Sequence, residues 1–276
     1  MGRKLGKISV EISAVLLSIV MFWIPFYYII INSFKNTTEA SWMRIDWPGS
    51  FHIVENYWAV LTHQDGMVPR AFLNSFILTT LSIALLILVS AMAGFVLQRR
   101  KDRFSGILDF FLLAGLIVPP AIVPTYWMLN FLGIARTFFG LSLVEVALSF
   151  SFATILYKAF VGTISREIDE AAVIDGCGRF RMFFQIIFPL LQPVTATIVV
   201  ISAVAVYNDF VNPLYFLPGA QNATVQLSIY YFFSQYTSDW NLVFADVVLI
   251  SIPTLLLFLF FNQKIVAGMT AGAIKG

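Results

Sequence analysis

Residues 163–193 read TISREIDEAAVIDGCGRFRMFFQIIFPLLQP. Ser165 stands where it can cap a helix N-terminus. Glu167, Asp169 and Glu170 then fall in the first turns, where the helix dipole favours anions. Ala171 and Ala172 are small and strongly helix-forming, and Gly176 is suited to the position just past a helix end. A second short helix is expected from about Arg179 to Phe188, with Pro189 ending it. The stretch therefore reads as two short helices with a bend at Gly176–Gly178.

The chain on either side is of a different kind. Of its 276 residues 59% are hydrophobic and 12% charged, against about 25% charged in soluble domains. Its mean hydropathy is +0.85. A helix needs about 20 apolar residues to cross a bilayer, and six segments qualify, at about 9–32, 72–98, 106–131, 141–162, 190–216 and 241–263. The fold class is thus an all-α membrane protein with six transmembrane helices in a single domain, and 163–189 lies between the fourth and fifth. The first apolar run, Ile12 to Ile31, exceeds a signal-peptide core and is not followed by an A-x-A-like site, so it is read as a retained crossing.

Basic residues set the direction. With the N-terminus inside, thirteen Lys and Arg residues fall on the inner side (among them Arg3, Arg99, Arg100, Lys158, Arg166 and Lys275), and four on the outer: Lys35, Arg44, Arg70 and Arg136. Both termini and the 163–189 loop are therefore expected in the cytoplasm. Trp42, Trp47, Trp58, Trp127 and Trp240 lie on or near the outer side, as interfacial anchors should. Prolines recur inside the crossings, most densely at Pro119, Pro120 and Pro124 in the third. Such breaks serve helix packing and path lining alike. The net charge of +2, without a basic stripe, gives no sign of nucleic-acid binding. His52, His63 and Cys177 are not at metal-ligand spacing, so no metal site is read.

An amphipathic loop could rest on the lipid surface, which would account for Phe180, Phe183, Phe184 and the arginines. It would not account for carboxylates set against an anionic leaflet. Small residues beside Glu170 suit docking into a cleft of another protein.

Glu170-Ala171-Ala172, three residues, Gly176, nine residues, then Ile186-Ile187-Phe188-Pro189 resembles the EAA loop of ATP-binding-cassette import permeases, E-A-A-x3-G-x9-I-x-L-P, with Phe188 in place of the Leu. Asn32-Ser33-Phe34-Lys35, Asn74-Ser75, Pro119-Pro120, Tyr207-Asn208-Asp209-Phe210 and the tail from Gly268 to Gly276 are similar to the smaller permease subunit of maltose-type carbohydrate importers. The resemblance implies the type I importer permease fold in a prokaryotic plasma (inner) membrane. It implies partners: two ATPase subunits that bind ATP and Mg2+, a second permease in a heterodimer, and an extracytoplasmic solute-binding protein. No cofactor and no catalytic residue is implied for this chain. Glu170, Ala171, Ala172, Asp175, Gly176, Arg179 and Phe183 would then belong to an ATPase-coupling surface, and Thr270, Gly272 and Lys275 to a tail that contacts the ATPase. The chain has no G-x-x-x-x-G-K-[ST] loop of its own.

A sugar needs hydrogen-bonding groups beside aromatic faces, and Tyr207, Asn208, Asp209 and Asn212 offer both in the fifth crossing. An intramembrane Asp marks function by default, but Asp209 could equally hold helices together. Glu145 and Asp246, near the outer ends of their helices, and Asp109, near an inner end, are similar cases that could be merely interfacial. Two rivals remain in view: an ABC permease for another solute, and an ion-coupled secondary transporter using Asp209, Glu145 and Asp246.

Overall fold

The computed structural model describes residues 11–100, 102–232 and 239–273. The described residues form helices and contain no strand. Helix α1 spans Glu11–Ser33, α3 Ile53–Arg99, α6 Phe138–Val161, and α12 starts at Trp240; these four are long and apolar enough to cross a membrane. Two bent pairs bring the number of candidate spans to six: α4 (Arg103–Ile117) with α5 (Ile122–Phe131), and α8 (Arg179–Leu190) with α9 (Gln192–Tyr207). Shorter helices are α2 (Thr37–Ser41), α7 (Glu167–Ile174), α10 (Val211–Phe216) and α11 (Val225–Phe232). The chain divides into two compact units, residues 1–72 with 225–253 and residues 73–224 with 254–276.

The first unit is organised by buried polar side chains. Lys35 is 1% exposed, and its ammonium donates to Arg44 O at 2.9 Å and Asp46 Oδ1 at 2.5 Å. That bond holds the Asp46 carboxyl below the usual carboxylate range. Asn32 donates to Tyr28 O and Arg44 O, and Asn56 to Ser33 O and Lys35 O. Asn241 of α12 donates to Asn56 Oδ1 at 2.8 Å. The Asn32–Lys35 motif is thus a clamp that folds the chain leaving α1 onto the start of α3.

Helix α3 starts at Ile53, whereas the crossing read from sequence begins at about 72, and it breaks within this unit. Gln64, Asp65 and Gly66 all have positive φ. Pro69 falls in the first turn after the break, where a missing N–H costs little. Arg70 donates to Gln64 O and Asp65 O, carbonyls that the break leaves without a helical partner.

The second unit has an apolar core of Leu86, Ala91, Ala153, Tyr157, Ile187, Leu191 and Ile198, to which Ala172 and Phe183 belong. A further cluster joins Leu78, Leu129, Leu141, Val206 and Phe216. Small residues let α3 and α6 approach closely, as membrane helices require: a Cβ on Gly94 would lie 2.7 Å from Tyr157 Cβ and 2.9 Å from Lys158 N. Asn74 pins the turn before α11 by donating to Gln221 O and Ala223 O, both at 3.0 Å. Asp109 of α4, read from sequence as an interfacial group, accepts from Lys158 Nζ at 2.5 and 2.6 Å and so ties α4 to α6.

The proline breaks fall partly where expected. Val118 is extended ahead of Pro119-Pro120, as a residue before proline tends to be, and α4 and α5 meet at 119°. The third crossing is therefore a bent pair. Pro189 does not end its helix. Residues Phe183–Ile187 wind as a π-helix just before it, which absorbs the lost i→i−4 bond, and α8 runs on to Leu190. The bend, 75°, comes at Leu191 ahead of Pro193. The fifth crossing is broken again at 208–210, between α9 and α10. Helix α12 passes through Pro253 and continues to Ala273, beyond the expected limit near 263.

Candidate functional site

The centre of interest is α7 and the turn that stops it. Gly176 has φ +73° and sits one residue past the helix cap Asp175. Cys177 N–H donates to Ala172 O at 2.9 Å and Gly176 N–H to Val173 O at 3.0 Å. This pair of bonds is a Schellman motif, so the glycine is required by backbone conformation. At the other end Ser165 Oγ accepts from Glu167 N at 3.3 Å, while Arg166 is the cap residue.

The helix has two faces. Ala172 is 3% exposed and packs in the core with Phe183, itself 5% exposed. Phe183 stands 5.5 Å from the Phe95 ring and 5.0 Å from Phe184. Glu170, Ala171, Asp175, Gly176 and Arg179 are exposed. Beside them Val173, Ile174 and Phe180 are also uncovered, Ile174 at 85%. Exposed branched and aromatic carbons ringed by carboxylates make a surface suited to a protein partner. Sequence reasoning named the polar members of this face and assigned Ala172 and Phe183 to it, whereas those two hold the helix up from below. It passed over Val173 and Ile174, whose exposure depends on which side of an eight-residue helix meets the core.

Asp169 faces inward. Its carboxylate pairs with Arg99 of α3, Nε to Oδ2 at 2.5 Å and Nη2 to Oδ1 at 3.3 Å. Seventy positions separate the two, so nothing local in the sequence announces the pair.

A second constellation lies at the α9–α10 break. Tyr207 is buried at the end of α9, and Asn208 is exposed with its amide donating to Val204 O. Asp209 Oδ1 accepts from the backbone N–H of Val211 and Asn212, and Asp209 Oδ2 from Asn212 Nδ2 at 2.6 Å. Asn212 Nδ2 also donates to Glu145 Oε1 at 3.2 Å. Asp209 therefore caps α10, and Asn212 bridges two carboxyl groups on α6 and the break. Asn212 also lines a cavity of about 100 Å3 with Thr125, Phe216 and Pro120-Ala121 at the break of the third crossing. In the first unit Asp246 is fully buried and meets Ser228 Oγ at 2.7 Å. Thr270 and Gly272 lie on α12 near its end, and Lys275 lies outside the described residues. Among the described residues no three His, Cys, Asp or Glu side chains gather as metal ligands would.

The described residues thus form an all-helical chain with several membrane-length helices, broken spans and an exposed two-faced loop helix. Residues 87–270 match the family described as "Binding-protein-dependent transport system inner membrane component", and the chain belongs to that family. It is 33% identical over 261 residues to the probable starch degradation products transport system permease protein AmyC of Thermoanaerobacterium thermosulfurigenes, covering 92% of this chain and 93% of that one. It is 32% identical over 259 residues to the melibiose/raffinose/stachyose import permease protein MelC of Bacillus subtilis (strain 168), covering 92% of each. Its fold matches a chain from the crystal structure of a bacterial ABC transporter involved in the import of the acidic polysaccharide alginate, with a TM-score of 0.78, 17% identity and coverage of 95% and 96%.

Proposed function

We propose that this chain is one of two permease subunits of an ATP-driven importer for a sugar or oligosaccharide. The observation that carries the reading is the α7 surface. It is a helix fixed at its C-terminus by a Schellman turn, rooted in the core through Ala172, and presenting Glu170, Ala171, Val173, Ile174 and Asp175 to a partner. The excess of basic residues around this loop supports a cytoplasmic position, with both termini on the same side and six crossings in one permease domain. The partner that surface fits is an ATPase subunit, one for each permease, holding the ATP and Mg2+ that this chain is not built to bind. The tail with Thr270, Gly272 and Lys275 reaches toward the same subunit.

The permease works by alternating access in a prokaryotic plasma membrane. ATP draws the ATPases together, the docked helices move with them, and the two permeases rock so that a path opens first outward and then inward. A solute-binding protein delivers the sugar at the outer side. The sugar class is supported by the names of AmyC and MelC, which match along more than nine-tenths of their length. Tyr207, Asn208, Asp209 and Asn212 stand along the substrate path, and Asn212 lines a cavity together with Pro120, Ala121 and Thr125.

The test is purification of the tagged chain from its native membrane in mild detergent, with mass spectrometry of what accompanies it. An ATPase subunit and a second permease are expected, with ATP-dependent sugar uptake when the assembly is reconstituted. A chain that emerges alone and takes up solute on a proton or sodium gradient without ATP would replace this reading with the secondary-transporter one.

A further inference from the structure

We infer that Arg99 and Asp169 clamp the coupling helix α7 to the C-terminal end of α3, which makes α3 the element that carries the movement of α7 into the membrane. The inference rests on the reading of α7 as the ATPase-docking helix.

Asp169 and Glu170 are adjacent, and one residue turns a helix by about 100°. The two carboxylates therefore look in different directions: Glu170 is exposed, and Asp169 is turned into the protein. The Arg99 and Asp169 side chains are 14% and 17% exposed, with Nε 2.5 Å from Oδ2 as an ion-pair contact and Nη2 donating to Oδ1 at 3.3 Å. A charge-assisted hydrogen bond at a half-buried pair holds the two side chains together more firmly than an exposed ion pair would.

The clamp is reinforced in both directions. Arg99 Nη2 also donates to Ile164 O at 3.2 Å and Nη1 to Val161 O at 3.5 Å, carbonyls at and just past the end of α6. Arg166 reaches back to Gln98 O and Arg99 O at 3.5 and 3.4 Å, in the last turn of α3. Arg166 thus reaches carbonyls of the last turn of α3, where a helix end leaves acceptors over, while Val161 O also accepts from Ile164 N–H at 3.1 Å. Below the ion pair the Arg99 guanidinium lies 5.9 Å from the Phe95 ring, and Phe95 packs on Phe183. One turn of sequence away, Gly94 allows the α3–α6 backbones to touch. The ends of α3 and α6, the 163–166 turn and α7 therefore form one block, and a push on α7 has no soft joint at which to dissipate before it reaches α3.

The experiment uses the complete reconstituted transporter. Spin labels are placed at Glu167 and Val96, both exposed, in a Cys177→Ser background, and the distance between them is measured without nucleotide and with ATP trapped. A rigid block keeps that distance the same in the two states. Arg99→Gln and Asp169→Asn should broaden the distance distribution and lower sugar transported per ATP hydrolysed by about tenfold, within the usual range of site-to-site coupling. Arg99→Lys, which keeps the charge but cannot reach the carboxylate and the Ile164 carbonyl together, should fall between. The exchanged pair Arg99→Asp with Asp169→Arg should recover part of the loss. A wild-type complex that transports sugar while the distance shifts with ATP overturns the clamp alone. So does an unchanged transport-to-ATP ratio in the single variants, assembled at wild-type levels. A wild-type chain that binds no ATPase overturns the coupling reading, and the clamp's role with it.

Discussion

Replacing Gly176 separates backbone strain from every other effect, because the structure leaves that residue nothing to collide with. A Cβ built there has no atom within 4 Å, yet φ is +73°. The cost of Gly176→Ala is therefore the left-handed conformation alone, roughly 1–2 kcal/mol for an ordinary L-residue. Asn visits that region more readily and should cost less, and a β-branched Val should cost more. The penalty bears on the two bonds that close α7, Cys177 N–H to Ala172 O and Gly176 N–H to Val173 O. Since about 1.4 kcal/mol is a factor of ten in an equilibrium, Ala should cut the ratio of capped to uncapped helix by about that factor. ATP-driven uptake at equal membrane levels should then fall in the order Gly, Asn, Ala, Val. Gly176→Asp adds a second effect. It places another carboxylate beside Asp175 at the negative end of the helix, worth a further 0.3–1 kcal/mol or so at low ionic strength. Asp should fall below its isostere Asn by that margin, and the gap should close in high salt. The assay is sugar uptake and ATP hydrolysis in proteoliposomes. Wild-type uptake by both the Ala and Val variants would refute the role of the cap, and an Asn variant as poor as Val would show that the left-handed turn is not the cause.

Other substitutions follow from the same kind of accounting. Gly94→Ala should lower the stability of the purified protein by about 1–3 kcal/mol through overpacking against the α6 backbone, read as a lower midpoint of thermal unfolding, while Gly106→Ala, with open space around it, should not. The Asp102 carboxyl is held down to about 2 by hydrogen bonds from the Ser105 side chain and backbone and then from Arg100. Its folded value lies below the unfolded one of about 3.9, so its contribution is fully present above that value and lost as pH falls toward 2. Protection of the first turn of α4 should therefore show no pH dependence from this group between pH 5 and 8, and Asp102→Ala should raise exchange there at every pH in that window. Asp209→Ala removes the acceptor for Val211 N–H, Asn212 N–H and the Asn212 amide, and should speed exchange at the start of α10; unchanged exchange would remove Asp209 from the cap. Asp246→Asn keeps a hydrogen-bonding group against Ser228 and should support uptake, whereas Asp246→Leu leaves the Ser228 hydroxyl without its side-chain partner and should reduce folded protein in the membrane.

What could be read from sequence was whatever local chemistry dictates. The stop of α7 at Gly176 follows from one residue type at one position, and the break at Pro119-Pro120 from two missing donors and the extended conformation that a following proline imposes on Val118. The membrane-length helices follow from composition alone. The misplaced bend at Pro189 shows where such reasoning ends: a π-helix upstream absorbs the proline, and nothing in the letters of FFQII predicts it. The break at Gln64–Gly66 was missed for a related reason, since two of its three left-handed residues are not glycine. Contacts over long separations were invisible. Arg99 and Lys158 were read as markers of membrane side, and each proves to be an ion-pair partner, of Asp169 and Asp109 respectively.

The use made of the polar residues bears on where sugar specificity resides. Asn32, Lys35 and Asn56 spend their hydrogen bonds on the chain between α1 and α3. Asn74 spends its amide on the turn before α11, and Asp209 caps α10. All but Asn56 belong to the motifs by which the chain resembles carbohydrate permeases, and their work is backbone support that any transported sugar would leave unchanged. A site built to bind hydroxyls needs donors and acceptors aimed at the ligand instead. The cavity at the third-crossing break offers Asn212 and Thr125 among mostly apolar neighbours, and Thr125 already donates to Ala121 O. So few polar groups would recognise a sugar by shape and by one or two hydrogen bonds, and in the proposed assembly the remaining discrimination would fall to its other subunits. Exchanging Asn212 for Ala should then change the apparent affinity for sugar modestly and leave the choice among sugars largely intact. A variant whose sugar preference reorders in competition uptake would instead place the specificity in this chain.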